Sequence, residues 1–163
     1  MPDEPRAQRR TFASRAEYED ALDLLIERAQ RSIQIFDTSL CVAYNSPRRQ
    51  DALRRFLLSS RLNRLHIVLH DTATVDRNCP RLIILLRQFS HAVAVHCTHA
   101  EAKGAYDPFV IGDQKDCVRR FHFDDLRGEV SVADPSAVQV YSERFAELWA
   151  ASDQALAATT LGL

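Results

Sequence analysis

The chain has 163 residues, 46% of them hydrophobic and 26% charged, enough for one soluble domain to bury a core without disulfides or metal. A net charge of -1 excludes a global field drawing it to nucleic acid or an anionic membrane, although all but two of its 21 basic residues are arginine. Four scattered cysteines, Cys41, Cys79, Cys97 and Cys117, form no Cys-x-x-Cys pair and fit reduced thiols in a cytoplasm.

Residues 1–12 are polar with two prolines and read as a mobile arm, with no apolar run to make a secretion signal. Ser14 and Glu17 then form a capping box, and Tyr18, Ala21, Leu22, Leu25 and Ile26 make one apolar helical stripe. Ser32 to Phe36 alternates with period two, which predicts a strand. Ser46-Pro47 opens a second helix that turns Leu53, Phe56 and Leu57 inward. Arg48, Arg49, Arg54 and Arg55 fill the rest of that helix, mostly on the solvent side. Leu65 to His70 is a second strand, Cys79-Pro80 opens a third helix, and Ala92 to Val95 is a third strand. Helix-length crossovers between these strands imply parallel pairing.

After residue 96 the connections are too short to hold helices. Phe109 to Ile111, Cys117 to Phe123 and Glu129 to Val132 therefore predict an antiparallel meander at one edge. Asp134-Pro135 starts the last helix, with Val138, Tyr141, Phe145, Leu148 and Trp149 at helical spacing. The expected fold is α/β, a mixed but mainly parallel sheet with helices on both faces. The expected boundaries are an arm over 1–12, one domain over 13–154 and a tail over 155–163. No apolar run is long enough to span a bilayer.

This order of elements, with a helix entering on Leu25-Ile26-x-x-Ala29 and a closing Phe145-x-x-Leu148-Trp149, resembles a single half-unit of the phospholipase D superfamily. The resemblance covers about residues 14 to 153. A narrower one is to an uncharacterised bacterial domain family of the same degenerate type, which in some proteins follows an acetyltransferase domain; no acetyl-coenzyme motif occurs here. The superfamily's signature is His-x-Lys, four residues, then Asp. Laid on this chain it puts Asp113 at the Asp, Tyr106 at the His and Pro108 at the Lys, with Glu129 at a later acidic position. The resemblance assigns His to attack phosphorus and Lys to steady phosphoryl charge. Proline supplies no charge, and a tyrosine hydroxyl titrating near ~10 is a poor nucleophile at neutral pH. The motif reads as disabled.

Three other constellations bear on function. In the strand from Cys117, Arg120 and His122 fall on one face and Arg119 and Phe121 on the other, so one face can offer cations to a phosphate or carboxylate. His66 and His70 lie about 13 Å apart along one strand, too far for one metal ion. His96, Cys97 and His99 are closer, but no second ligand pair accompanies them, and no metal or other cofactor is expected. No cysteine carries a nucleophile signature, and the four glycines make no phosphate loop.

The resemblance thus implies a non-catalytic binding or assembly module that pairs with a second copy about a twofold axis and takes a possible phosphate-containing ligand. The alternatives are a phosphodiesterase or nuclease with a site rebuilt from Tyr106, Asp113, Arg120, His122 and Glu129, or a nucleic-acid binder working through the Arg48 helix.

Overall fold

A computed structural model describes residues 6–40 and 42–156. Three caps expected from sequence open three helices. Ser14 accepts from Glu17 N at 3.2 Å to start α1 (Arg15–Arg28), while Glu17 reaches back to Ala13 N at 3.0 Å. Ser46 precedes Pro47 at the start of α2 (Pro47–Ser59), and Asp134 accepts from Ala137 N at 3.1 Å to open α5 (Pro135–Ala150). The third expected helix is α4 (Pro80–Gln88), preceded by one extra turn, α3 (Val75–Asn78).

Eight strands form one sheet: β1 (Gln8–Phe12), β2 (Ser32–Asp37), β3 (Arg64–Leu69), β4 (Val93–Thr98), β5 (Phe109–Gly112), β6 (Asp116–His122), β7 (Asp125–Val132) and β8 (Ser152–Leu156). Their order is β1-β7-β6-β5-β2-β3-β4-β8. The expected mixed sheet is present, but its balance is corrected. Only β2–β3 and β3–β4 pair in parallel, and the other five ladders are antiparallel. β5, β6 and β7 follow β4 by connections without an α-helix, and each reverses direction, while α5 carries the chain from β7 across to the opposite edge at β8.

Both expected ends also change. Gln8–Phe12, assigned to a mobile arm, form the edge strand β1, and Ser152–Leu156, assigned to the helix end and tail, form the opposite edge β8. Neither strand shows apolar alternation. An edge needs only backbone pairing and an anchor, here Phe12, whose ring lies 5.6 Å from Tyr18. The rest of the expected tail, residues 157–163, lies outside the described residues.

Period-two alternation sorts the core into two layers. Ile33, Ile35, Leu65, Ile67 and Val95 pack under α1, α2 and α4. Phe36, Val68, Phe109, Ile111 and Cys117 pack under α5 through Val138, Phe145 and Leu148. Helices therefore cover both faces, and the loops at the ends of β2, β3 and β6 gather at one end of the sheet.

Candidate functional site

β5 runs antiparallel to β2, with Phe109 opposite Phe36, and β6 runs antiparallel to β5, with Arg119 opposite Phe109. The start of β5 therefore lies beside the ends of β2 and β6. Tyr106 and Pro108 enter there, at the same end of the sheet as Asp37, His70, Arg120 and His122.

At the base of this end is an ion pair that sequence reasoning missed. Asp37 is buried and accepts from Arg120 Nη2 at 3.4 Å and from Thr38 N at 2.7 Å. Burial pushes its carboxyl up to about 6, against the pull of Arg120 and Thr38. Arg120 also donates to the Phe123 carbonyl at 3.0 Å, and its guanidinium lies 5.3 Å from the Tyr18 ring centre. The available signal was the alternation itself: Ile33, Ile35 and Asp37 share the core-facing side, and a carboxylate placed there requires a partner.

Above the pair, the loop before β5 is held at three successive points. His70 Nε2 lies 2.6 Å from the Ala105 carbonyl, which can only accept, so Nε2 carries the proton and Nδ1 takes the Thr98 hydroxyl at 2.7 Å. Burial keeps this imidazole below its usual range, in keeping with the neutral ring. Asp107 receives a two-pronged contact from Arg144, both bonds at 2.7 Å, and the Pro108 carbonyl accepts from Arg120 N at 2.9 Å. Lys103 Nζ ties the same corner together, donating to the carbonyls of His70 at 2.7 Å and Thr98 at 3.1 Å.

Tyr106 stands on this fixed loop and is 51% exposed. Its ring centre is 6.1 Å from that of His122 and 6.2 Å from that of Phe123, so three aromatic side chains form a rim above the buried pair. His122 Nδ1 is hydrogen-bonded to Asp124.

The remaining expected site residues go elsewhere. Asp113 sits at the far end of β5, about 13 Å of strand away from the Phe109 end. With Gln114 and Lys115 it forms the three-residue turn between β5 and β6, Asp113 and Gln114 having φ of 53° and 60°. Its carboxylate accepts from the backbone N–H groups of Gln30, Arg31 and Ser32 at 2.9, 2.8 and 3.1 Å, fastening the start of β2. Glu129 lies in mid-β7 opposite Arg119, under the α5 face, and pairs with Arg9 at 3.3 Å. The expected grouping of Glu129 with Tyr106 is therefore corrected, because the β6–β7 register directs the acid away from the rim.

The expected trio of Arg119, Arg120 and His122 also divides. Arg119 and Phe121 share the α5 face, with the guanidinium 4.9 Å from the Phe121 ring centre. Arg120 instead goes into the opposite layer, and a register shift between Arg120 and His122 leaves His122 at the rim. His96, Cys97 and His99 have separate partners: Ser152 Oγ at 2.9 Å, the His70 carbonyl at 3.4 Å and Asp153 at 2.7 Å. Among the described residues no cluster of three or more metal-ligating side chains occurs. In α2, Arg49 faces inward, 6% exposed, and binds Asp23 at 3.1 Å, while Arg48 lies 3.6 Å from the same carboxylate. Arg54 and Arg55 are exposed. Cys117 is buried, which pushes its thiol up to about 12, and Cys41 lies outside the described residues.

No helix among the described residues is long and apolar enough to cross a membrane. A family model described as Domain of unknown function (DUF7931) matches residues 14–160. No curated protein matches the chain in sequence. Among solved structures, Nuc from Salmonella typhimurium, a phospholipase D family member, superposes with a TM-score of 0.67 at 13% identity, over 92% of this chain and 99% of that one. NucT from Helicobacter pylori gives 0.65 at 14% identity, over 92% of this chain and 100% of that one. TrmBL2, an archaeal chromatin protein with a novel mode of DNA binding, gives 0.68 at 15% identity; the match spans 91% of this chain and 54% of TrmBL2. At such identities the likeness is one of fold, and the fold is phospholipase D-like.

Proposed function

The chain belongs to the family described as Domain of unknown function (DUF7931), and on that premise we propose that it is a non-catalytic phospholipase D-like module that docks a second copy of itself on the Tyr106 rim. The observation that carries this reading is the loop before β5. The loop is held at Ala105, Asp107 and Pro108, and the sequence resemblance lays the superfamily's His and Lys on its Tyr106 and Pro108.

A fixed loop with an exposed tyrosine suits recognition better than turnover. Tyrosine combines a large apolar surface with a polar tip, and a loop already ordered loses little entropy on binding. Phe123 and Leu126, 42% and 41% exposed, extend the apolar surface along the β6–β7 hairpin. A patch that meets its own copy about a twofold axis closes as a dimer.

One observation favours a second reading, a phosphodiesterase with a rebuilt site. Asp124 engages His122 Nδ1, which leaves Nε2 available as a base or nucleophile beside Tyr106. Light scattering of purified protein at micromolar concentration separates the two. The first reading expects a dimer mass, a monomer for the Tyr106→Ser/Phe123→Ser variant with unchanged circular dichroism, and no hydrolysis of bis(p-nitrophenyl) phosphate. A strict monomer together with hydrolysis that His122→Gln abolishes replaces it with the second.

A further inference from the structure

On the face covered by α5, away from the rim, one cation is left over. Register places Glu129 directly opposite Arg119, where opposite charges on neighbouring strands ordinarily pair. Glu129 turns instead to Arg9, at 3.3 Å, and among the described residues Arg119 forms no ion pair. Its guanidinium is held in place by two rings, lying 4.9 Å from the centre of Phe121 and 5.7 Å from that of Tyr141. It is half-buried in an open groove of about 270 Å³ whose walls include Arg9, Glu129, Ser131, Val140 and Tyr141.

The groove's charge does not balance. Arg9 and Arg119 face the single carboxylate of Glu129. Burial pushes the Cys117 thiol up to about 12 and raises the Tyr141 hydroxyl, so both stay neutral. The nearby acids are engaged elsewhere, Asp107 by Arg144 and Asp134 by the first turn of α5. A half-buried guanidinium held by two rings is a receptor for an oxyanion, since its fork matches two oxygens of one group. The volume is at the small end of ligand sites, room for about one ring.

We propose that this groove binds a small organic oxyanion, a carboxylate or a phosphate monoester, with its oxygens on Arg119 and its body along Tyr141 and Val140. This site does not depend on self-association, because it uses none of the rim residues.

The test is isothermal titration of the full chain with phenyl phosphate, with benzoate, and with benzyl alcohol as the uncharged control. At least one of the two anions binds and the alcohol does not; which anion binds more tightly identifies the headgroup. Arg119→Gln weakens that anion by about tenfold or more, the loss of a charge-assisted contact. Glu129→Gln removes the competing carboxylate and tightens it by about two- to fivefold, a gain that misfolding cannot mimic. Binding of the alcohol equal to that of the anions, or affinity unchanged in both variants, overturns the proposal.

Discussion

Replacing Arg120 with methionine removes the charge partner of Asp37 while keeping most of the side chain's packing. Asp37 is 2% exposed, so its charge would remain in the core with the Thr38 N–H as its hydrogen-bond donor. Breaking a buried ion pair from one side costs about 3–5 kcal/mol, and that is the expected loss at pH 8. The loss should depend on pH in a defined direction. The Asp37 carboxyl is raised from 3.8 to about 6, so the folded state holds its proton more tightly than the unfolded one. The stability this contributes is complete below 3.8 and lost as pH rises through about 6. Without Arg120 the carboxyl rises further, so at pH 5 it is protonated and the penalty shrinks. Urea unfolding followed by Trp149 fluorescence at pH 8 and pH 5 measures both losses. The Asp37→Leu/Arg120→Met double variant, with no charge left to strand, should lie within about 1 kcal/mol of the wild type. A cost for Arg120→Met below about 1 kcal/mol at pH 8, or one equal at both pH values, would refute this account of the pair.

Three further outcomes follow from particular contacts. Burial lowers the imidazoles of His66 and His96, both stacked on Trp149, so their contribution is present above 6.5 and lost as pH falls through their folded values. His96→Gln should therefore flatten the acid limb of a melting-temperature profile between pH 7 and 5, and an unchanged limb would remove these rings as its cause. A Cβ at Gly128 would stand 2.0 Å from the Arg119 carbonyl and 2.4 Å from the Phe12 ring, so Gly128→Ala should cost about 3 kcal/mol in chemical denaturation. A wild-type midpoint for that variant would show that β1 does not press on β7 as described. Asp113→Ala should cost about 2 kcal/mol in urea unfolding through three lost backbone contacts, yet leave the mass by light scattering the same as wild type, because its carboxylate serves the far end of β5; a wild-type midpoint would refute this.

Much of the scaffold can be read from local chemistry. The caps at Ser14, Ser46 and Asp134 are contacts between near neighbours, and the inward positions of Leu22, Leu53, Phe145 and Leu148 follow from helical period alone. The placement of Tyr106 and Pro108 before a buried strand was likewise legible, because Phe109, Val110 and Ile111 leave no other reading. The partners at the site were not. Arg120 and Asp37 are 83 residues apart, and Asp107 and Arg144 are 37 apart, so neither pair leaves a local trace.

What the amino-acid order determined by itself is therefore the central helices and strands and the parallel centre of the sheet, since each depends on residue type and short-range spacing. Tertiary structure alone decided that Arg120 pairs with Asp37, that Glu129 answers Arg9, and that polar segments at both ends join the sheet as edges. Those outcomes are set by strand register. A shift of one residue between β6 and β7 exchanges the faces of every side chain along the strand, and no local pattern in charged residues specifies which register is chosen.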